Sequence, residues 1–189
     1  VLKQIQLKRH SLTYADRIFS LVSDPKIKEA LGLSVETVDD IVDFLQAVMV
    51  EETAGKTVSR AIFNEQGKLI GVTSLMSIDH EKKFCTLGTW IGSRYWGKGY
   101  NEASKYAILQ LAFLELGLEK VFIGTRLANK RSQQAQKKLP YLTWHAEEAY
   151  PEVHAAIEGK EKQPCLLNIV YRADFMTHAS HFTKASADG

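Results

Sequence analysis

The residues best placed to do chemistry stand together in Arg94-Tyr95-Trp96-Gly97-Lys98-Gly99-Tyr100-Asn101, a glycine-rich turn between an apolar run and the start of a long helical pattern. Residues without a β-carbon let backbone N–H groups approach an oxyanion closely. The first turn of a helix adds unpaired N–H groups at the positive end of its dipole. The chemistry this pattern offers is the cradling of phosphate. From Gly92 to Gly99 the spacing comes within one residue of a nucleotide-binding P-loop, with Lys98 where the phosphate-binding lysine would stand. Gly99, however, occupies the place of the Ser or Thr whose hydroxyl holds Mg²⁺, and the later apolar run 121–125 does not end in an acidic residue that could replace it. The turn also follows a hairpin instead of opening a first parallel unit, so a nucleoside triphosphate is the weaker ligand class.

Other classes fall to composition. The 189 residues suffice for one substantial core, and 45% apolar with 24% charged residues is the balance of a globular protein. Lys and Arg (24) nearly cancel Asp and Glu (22), which gives no broad electrostatic reason to expect DNA or an acidic membrane surface as partner. Cys85 and Cys165 lack both the number for a disulfide scaffold and the spacing of a metal site, which fits a reducing, cytoplasmic setting. No apolar run reaches membrane-spanning length, and residues 1–10 alternate with charge instead of forming a signal core. His178 and His181 lack further ligands at metal-site spacing, so no metal is expected. Trp90, Trp96 and Trp144 read as packing residues because no basic stripe accompanies them.

The elements that must position the turn follow from periodicity. Residues 2–9 alternate with mixed faces, as an edge strand does, and 13–22 repeat as a helix with Tyr14, Ile18 and Leu21 on one side. Asp24-Pro25 opens a short helix ending near Gly32, and a longer one spans 37–53 with Val38, Ile41, Val42, Leu45 and Val48 as its apolar stripe. Strands are expected at 57–63 and 69–78, joined as a hairpin through a turn containing Gly67, and again at 84–91, where Gly92 ends the run. The helix from about 101 to 116 should bury Ala103, Ala107, Leu111 and Leu114, with Gly117 in the left-handed position after it. A strand at 121–125 follows; Asn129 caps a short helix running to Lys138, and Pro140 stops it. The remaining strands are 141–144 and 166–171, and the polar stretch from His178 to Gly189 reads as loosely ordered. No internal repeat or linker divides the chain. The expectation is one domain over 1–176 with a polar tail at 177–189, built as an α/β (α+β) mixed sheet flanked by helices.

Several separate segments carry a resemblance. Arg94-x-x-Gly97-x-Gly99 resembles the acetyl-CoA motif of the GNAT family of N-acetyltransferases. Leu87-Gly88-Thr89-Trp90-Ile91-Gly92 with Tyr95-Trp96-Gly97-Lys98-Gly99-Tyr100 is similar to the subgroup that acetylates ribosomal-protein amino termini (RimJ/RimL-like). Ala112-Phe113-Leu114-Glu115-Leu116-Gly117-Leu118 before Val121-Phe122-Ile123, and Asn129-x-x-Ser132 before Lys138-Leu139-Pro140-Tyr141, are similar to that family's next segments. The resemblance implies a mostly antiparallel sheet of about six or seven strands, splayed where the strand of Trp90 and Ile91 leaves the strand of Ile123 and Thr125, with the pantetheine arm in the gap. It implies acetyl-CoA as donor. The pyrophosphate would sit on loop amides from Trp96 to Asn101, with Gly97 and Gly99 permitting the approach. Lys98 would face phosphate or solvent, Arg94 would pair with phosphate or close the turn, Tyr100 would cover the cofactor or pack on the helix, and Asn129 would bind the pantetheine amide.

The catalytic assignments implied are thinner. A strand N–H beside the acyl carbonyl would stabilise the oxyanion formed as an amine attacks the thioester, an effect worth ~3 kcal/mol per donor elsewhere. Holding both reactants together removes much of the remaining barrier. Many members place a tyrosine seven residues after the motif asparagine to protonate the thiolate; here that residue is Gln136, which cannot act as an acid. Ser132 is the alternative acid. Thr86 stands where the subgroup often carries a glutamate, so the general base is unassigned, with Glu29, Asp79 and His80 as candidates by region. The expected reaction is acetyl transfer to a primary amine by direct attack in a ternary complex. The acceptor could be a protein amino terminus or a small amine such as a polyamine, an amino-acid derivative or an antibiotic. A catalytically silent acyl-CoA-binding module is the reading from another class, and a homodimer is left open.

Overall fold

The computed structural model describes residues 1–185, with side chains as far as Ala179. Among them are seven strands and seven α-helices: β1 (Ile5–Arg9), α1 (Ala15–Val22), α2 (Pro25–Leu31), α3 (Val38–Thr53), β2 (Val58–Asn64), β3 (Leu69–Asp79), β4 (Phe84–Ile91), α4 (Tyr100–Gln110), β5 (Lys120–Arg126), α5 (Lys130–Gln136), β6 (Leu142–Thr143), α6 (Pro151–Glu161), β7 (Cys165–Tyr171) and α7 (Arg172–Ala185). The strands follow the order β1-β2-β3-β4-β5-β7-β6, with antiparallel ladders at β1–β2, β2–β3, β5–β7 and β6–β7 and a parallel one at β4–β5. This is the mixed, mostly antiparallel sheet flanked by helices that the sequence implies.

Two compact units make up the described chain. The first comprises Val1–Ile78 and Gly88–Leu111. Its sheet begins at the edge strand β1, and the β2–β3 hairpin turns through Gly67 at φ 69°. The local signals in its helices act as written: the Asp24 carboxylate accepts from Lys26 N at 2.9 Å ahead of Pro25, Gly32 ends α2 at φ 60°, and Thr37 and Asp40 close a capping box on α3. Ile18 and Val22 of α1 and Ile41 and Leu45 of α3 are buried together with Ala61 and Val72 of the strands, and Trp90 and Trp96 pack against this cluster. Burying such a side chain contributes roughly 1.5–3 kcal/mol, so the stripe on α1 and α3 suffices to seat them.

The second unit comprises Asp79–Leu87 and the described residues from Ala112 on. Phe84↔Lys120, Cys85↔Val121 and Thr86↔Phe122 pair in parallel, and β5 has β7 as its antiparallel partner as far as Arg126. Phe122, Leu167 and Ile169 are buried with Ala146, and Val153 and Ile157 of α6 pack on them.

Three expectations need correction. The helix after the glycine turn does not hold one phase: α4 passes into a π-helical turn at Leu111–Glu115, whose i→i+5 bonding rotates the following side chains. Ala103, Ile108, Leu109, Ala112 and Phe113 are buried instead, and Leu114 is 54% exposed. Helix α6 was not expected, because its only apolar inward residues, Val153 and Ile157, are too few to mark a stripe. The stretch from His178 is not loosely ordered at its start but continues α7 to Ala185, while 186–189 lie outside the described residues.

Candidate active site

In the first unit the turn after β4 is pinned at its base and open at its tip. Ile91 is buried, and its carbonyl accepts from Trp96 Nε1 at 2.7 Å, which folds the indole back under the strand end. Ser93 Oγ donates to the Asp24 carboxylate, and these hydrogen bonds hold that carboxyl below its ordinary pKa. Arg17 donates to Tyr95 Oη at 3.1 Å and to Leu69 O at 3.0 Å. Glycine is also required one strand away. A β-carbon on Gly71 would lie 2.2 Å from the Trp90 carbonyl oxygen, so the backbone carrying Trp90 and Ile91 can only take its course beside a glycine.

The tip has the opposite character. Gly97 and Gly99 take φ values of 71° and 86°, which only glycine adopts without strain, and nothing lies within 4 Å of where a Gly97 β-carbon would stand. Gly99 is the N-cap of α4, and no side chain caps that helix. The first-turn N–H groups of α4 thus have no side-chain cap, the kind of helix start that oxyanions take, and at Gly99 the nearest atom to a β-carbon would be Lys3 Cγ at 3.4 Å. N–H donors of this kind suit the oxygens of a pyrophosphate. Lys98 is exposed with its ammonium 5.9 Å over the Tyr95 ring, and Arg94 is exposed as well. Tyr100 is buried and donates to Glu65 at 2.8 Å, a bond that anchors the helix start. The Asn101 side chain accepts from the buried Lys105 ammonium at 2.6 Å.

In the second unit Asn129 caps α5. Its Oδ1 accepts from Ser132 N at 3.1 Å, so Asn129 Nδ2 is the group left to meet a ligand. Ser132 is half-buried, and its Oγ accepts from Gln136 Nε2 at 3.2 Å. Gln136, which sequence reasoning noted only for not being a tyrosine, is fully buried and bonded to Thr125 and Asn168 as well. Asn168 is 32 residues from Gln136 in the chain, and no local pattern could have found the pair.

The candidates for general base are dispersed. Glu29 is exposed on α2. Asp79 accepts from Glu81 N and Lys82 N at 3.0 and 2.7 Å, the bonds of a turn, and His80 is exposed beside it. Neither cysteine is poised as a nucleophile: both are buried, and burial pushes the Cys85 thiol up to about 12. Among the described residues no three His, Cys, Asp or Glu side chains gather as a metal site would need, and no helix is long and apolar enough to cross a membrane.

The acetyltransferase (GNAT) domain description matches residues 4–141, well over half of the chain. The chain belongs to this family. By family it is an acetyl-CoA-dependent N-acetyltransferase domain, with acetyl-CoA as the donor. Among curated relatives, YdaF of Bacillus subtilis (strain 168), a proposed ribosomal N-acetyltransferase, is 30% identical over 76 residues, or 40% of this chain and 42% of YdaF. The match thus spans less than half the length of that relative. Among solved structures, the microcin C7 self-immunity acetyltransferase MccE, in complex with acetyl-CoA and AMP, has a TM-score of 0.68 and 24% identity over 75% of this chain and 79% of MccE. Spermidine N-acetyltransferase from Vibrio cholerae, in complex with CoA and spermine, has a TM-score of 0.71 and 13% identity over 92% of this chain and 98% of that one. At these identities the two structures bear on the fold alone.

Proposed function

We propose that the protein transfers an acetyl group from acetyl-CoA to a primary amine by direct attack in a ternary complex, and that the acceptor is a protein amino terminus. The observation that carries the donor half is the uncapped start of α4 behind two glycines at positive φ, with open space in front of Gly97. Residues 1–176 form the acyltransferase domain in this reading. The loop amides from Trp96 to Asn101 hold the pyrophosphate, with Arg94 and Lys98 as exposed cations beside it. Trp90 and Ile91 offer strand backbone to the pantetheine arm. Asn129 meets a pantetheine amide through Nδ2, and Ser132 donates a proton to the departing thiolate.

The amino-terminal acceptor rests on the likeness to YdaF and on the sequence of the 87–100 segment. Acetyl-CoA turnover measured over ribosomal-protein amino-terminal peptides, spermidine and free amino acids tests it. Preferential modification of the peptide α-amine is expected. Exclusive modification of spermidine would overturn the acceptor, and tight CoA binding with no turnover on any amine would favour the silent module. Absence of CoA binding would remove the donor assignment as well.

A further inference from the structure

The geometry points to Gln136 as a positioning residue that aims the Ser132 hydroxyl proton at the leaving thiolate, through an amide relay whose direction is set by the backbone N–H of His145. This rests on the reading of Ser132 as the proton donor. The relay starts from a group with no choice: His145 N–H can only donate, and it donates to Asn168 Oδ1 at 3.1 Å. The other end of that amide, Nδ2, must then be the donor to Gln136, where it meets Oε1 at 2.8 Å. With its oxygen so engaged, Gln136 turns Nε2 toward Thr125 Oγ1 and Ser132 Oγ, at 3.2 Å for the latter. Each of its two amide hydrogens has an acceptor. Ser132 Oγ therefore receives a bond on the Gln136 side, and its own hydrogen has to leave on another.

Burial makes the direction firm. Gln136 and Asn168 have no exposed surface, and Thr125 has 5%. Reversing Asn168 would set its Nδ2 against the His145 N–H, and reversing Gln136 would set its Nε2 against Asn168 Nδ2, donor against donor in each case, a cost that water cannot relieve there. Ser132 itself is half-buried, so its outward hydrogen is within reach of a ligand. Both amides are neutral and do not titrate, which keeps the hydroxyl aimed at every working pH. In the reaction the amine nitrogen bonds to the acetyl carbon, the carbon–sulfur bond breaks, and the sulfur takes the Ser132 proton. The serine regains a proton from water, and the one shed by the amine goes to water, so the balance is one proton moved from nitrogen to sulfur. A residue that cannot be an acid thus prepares the one that can.

The test uses thiol release from acetyl-CoA with an amino-terminal peptide as acceptor. Gln136→Met keeps the length and removes the donor: turnover is expected to fall about tenfold, a part of what a general acid supplies, with the Michaelis constant for acetyl-CoA unchanged. In a Ser132→Ala background the same change should have no further effect. Gln136→Glu is isosteric, and its ionised carboxylate would draw the serine proton toward itself. The ratio of variant to wild-type turnover should therefore fall as pH rises through the ionisation of that buried carboxyl, whereas a merely structural role gives a flat ratio. Unchanged turnover in Ser132→Ala overturns the acid assignment and this inference with it. Lowered turnover there, but multiplying effects in the double variant or a flat pH ratio, overturns the positioning role alone. Should Gln136→Met fail to fold, the pH ratio of Gln136→Glu decides. A wild-type chain that releases no thiol overturns the transfer itself.

Discussion

The glycine turn after β4 and the polar cluster behind α5 hold their groups in opposite ways. At the turn the groups on offer are backbone N–H, and they are aimed by φ values of 71° and 86° at Gly97 and Gly99, with side chains used only to pin the base. Behind α5 the backbone is ordinary helix, and a hydroxyl is aimed by the side chains of Gln136 and Asn168, which have no exposed surface. An anion needs many equivalent donors, which a chain supplies by curving. A proton transfer needs one donor with one direction, which takes a set of buried partners whose every hydrogen bond is satisfied.

The largest effect that would break this contrast is on the backbone beside the turn. Gly71→Ala would put a β-carbon 2.2 Å from the Trp90 carbonyl oxygen and 3.0 Å from Ile91 Cα, atoms that cannot move without the strand. A loss of about 3 kcal/mol is expected in denaturant unfolding. Gly124→Ala serves as its counterpart, since there the nearest atom is the Ile157 Cγ2 at 2.6 Å, the end of a side chain that can turn aside. Its cost should be nearer 1 kcal/mol. Equal losses in the two variants would mean that the strand under Trp90 gives way as easily as a side chain, and the backbone argument for the turn would fail.

Next in size is the cradle. Gly99→Glu imposes a side chain at φ 86° and sets a carboxylate at the start of α4, where the phosphates are proposed to lie. The strain costs about 1–3 kcal/mol of stability, and CoA affinity measured by calorimetric titration should fall at least about 100-fold. Wild-type affinity in this variant would remove the pyrophosphate from the turn.

These two regions were unequally legible in the sequence, and the reason is physical. Asp24-Pro25, Thr37, Gly67, Gly117 and Asn129 are short-range signals: each acts on backbone within a few residues, so reading them in order recovers α2, α3, the β2–β3 turn and the start of α5. The cradle is of the same kind, because a glycine pair before a helix is local. The fold stopped being legible where packing alone decides. Helix α6 shows almost no apolar stripe, and the π turn that exposes Leu114 answers to what lies around Ala112 and Phe113. Gln136 was read by what it is not, since its partners at 125 and 168 come from strands that only the folded chain brings to it.

The smallest expected effect concerns a side chain that crosses the contrast, a buried cation behind the backbone cradle. Lys105 has 5% exposure and one hydrogen bond among the described residues, from Nζ to Asn101 Oδ1, and burial lowers its pKa from 10.5 to about 8. At neutral pH the folded state therefore keeps a charge out of water with a neutral partner, which is unfavourable. Lys105→Met fills a similar volume and should raise stability by about 1 kcal/mol at pH 7. The pH dependence fixes the cause. Between about 8 and 10.5 the unfolded chain still binds the proton that the folded one has released, so the wild type gains stability as pH rises through this range. The variant has no such gain from residue 105, and its advantage over the wild type should shrink across the same interval in unfolding curves. CoA affinity should stay near the wild-type value, because in the proposed site Asn101 contributes its backbone N–H and not the side chain that Lys105 holds. A constant advantage from pH 7 to 10.5 would show that the ammonium reaches water, whereas a lost affinity would show that the cradle depends on a side chain after all.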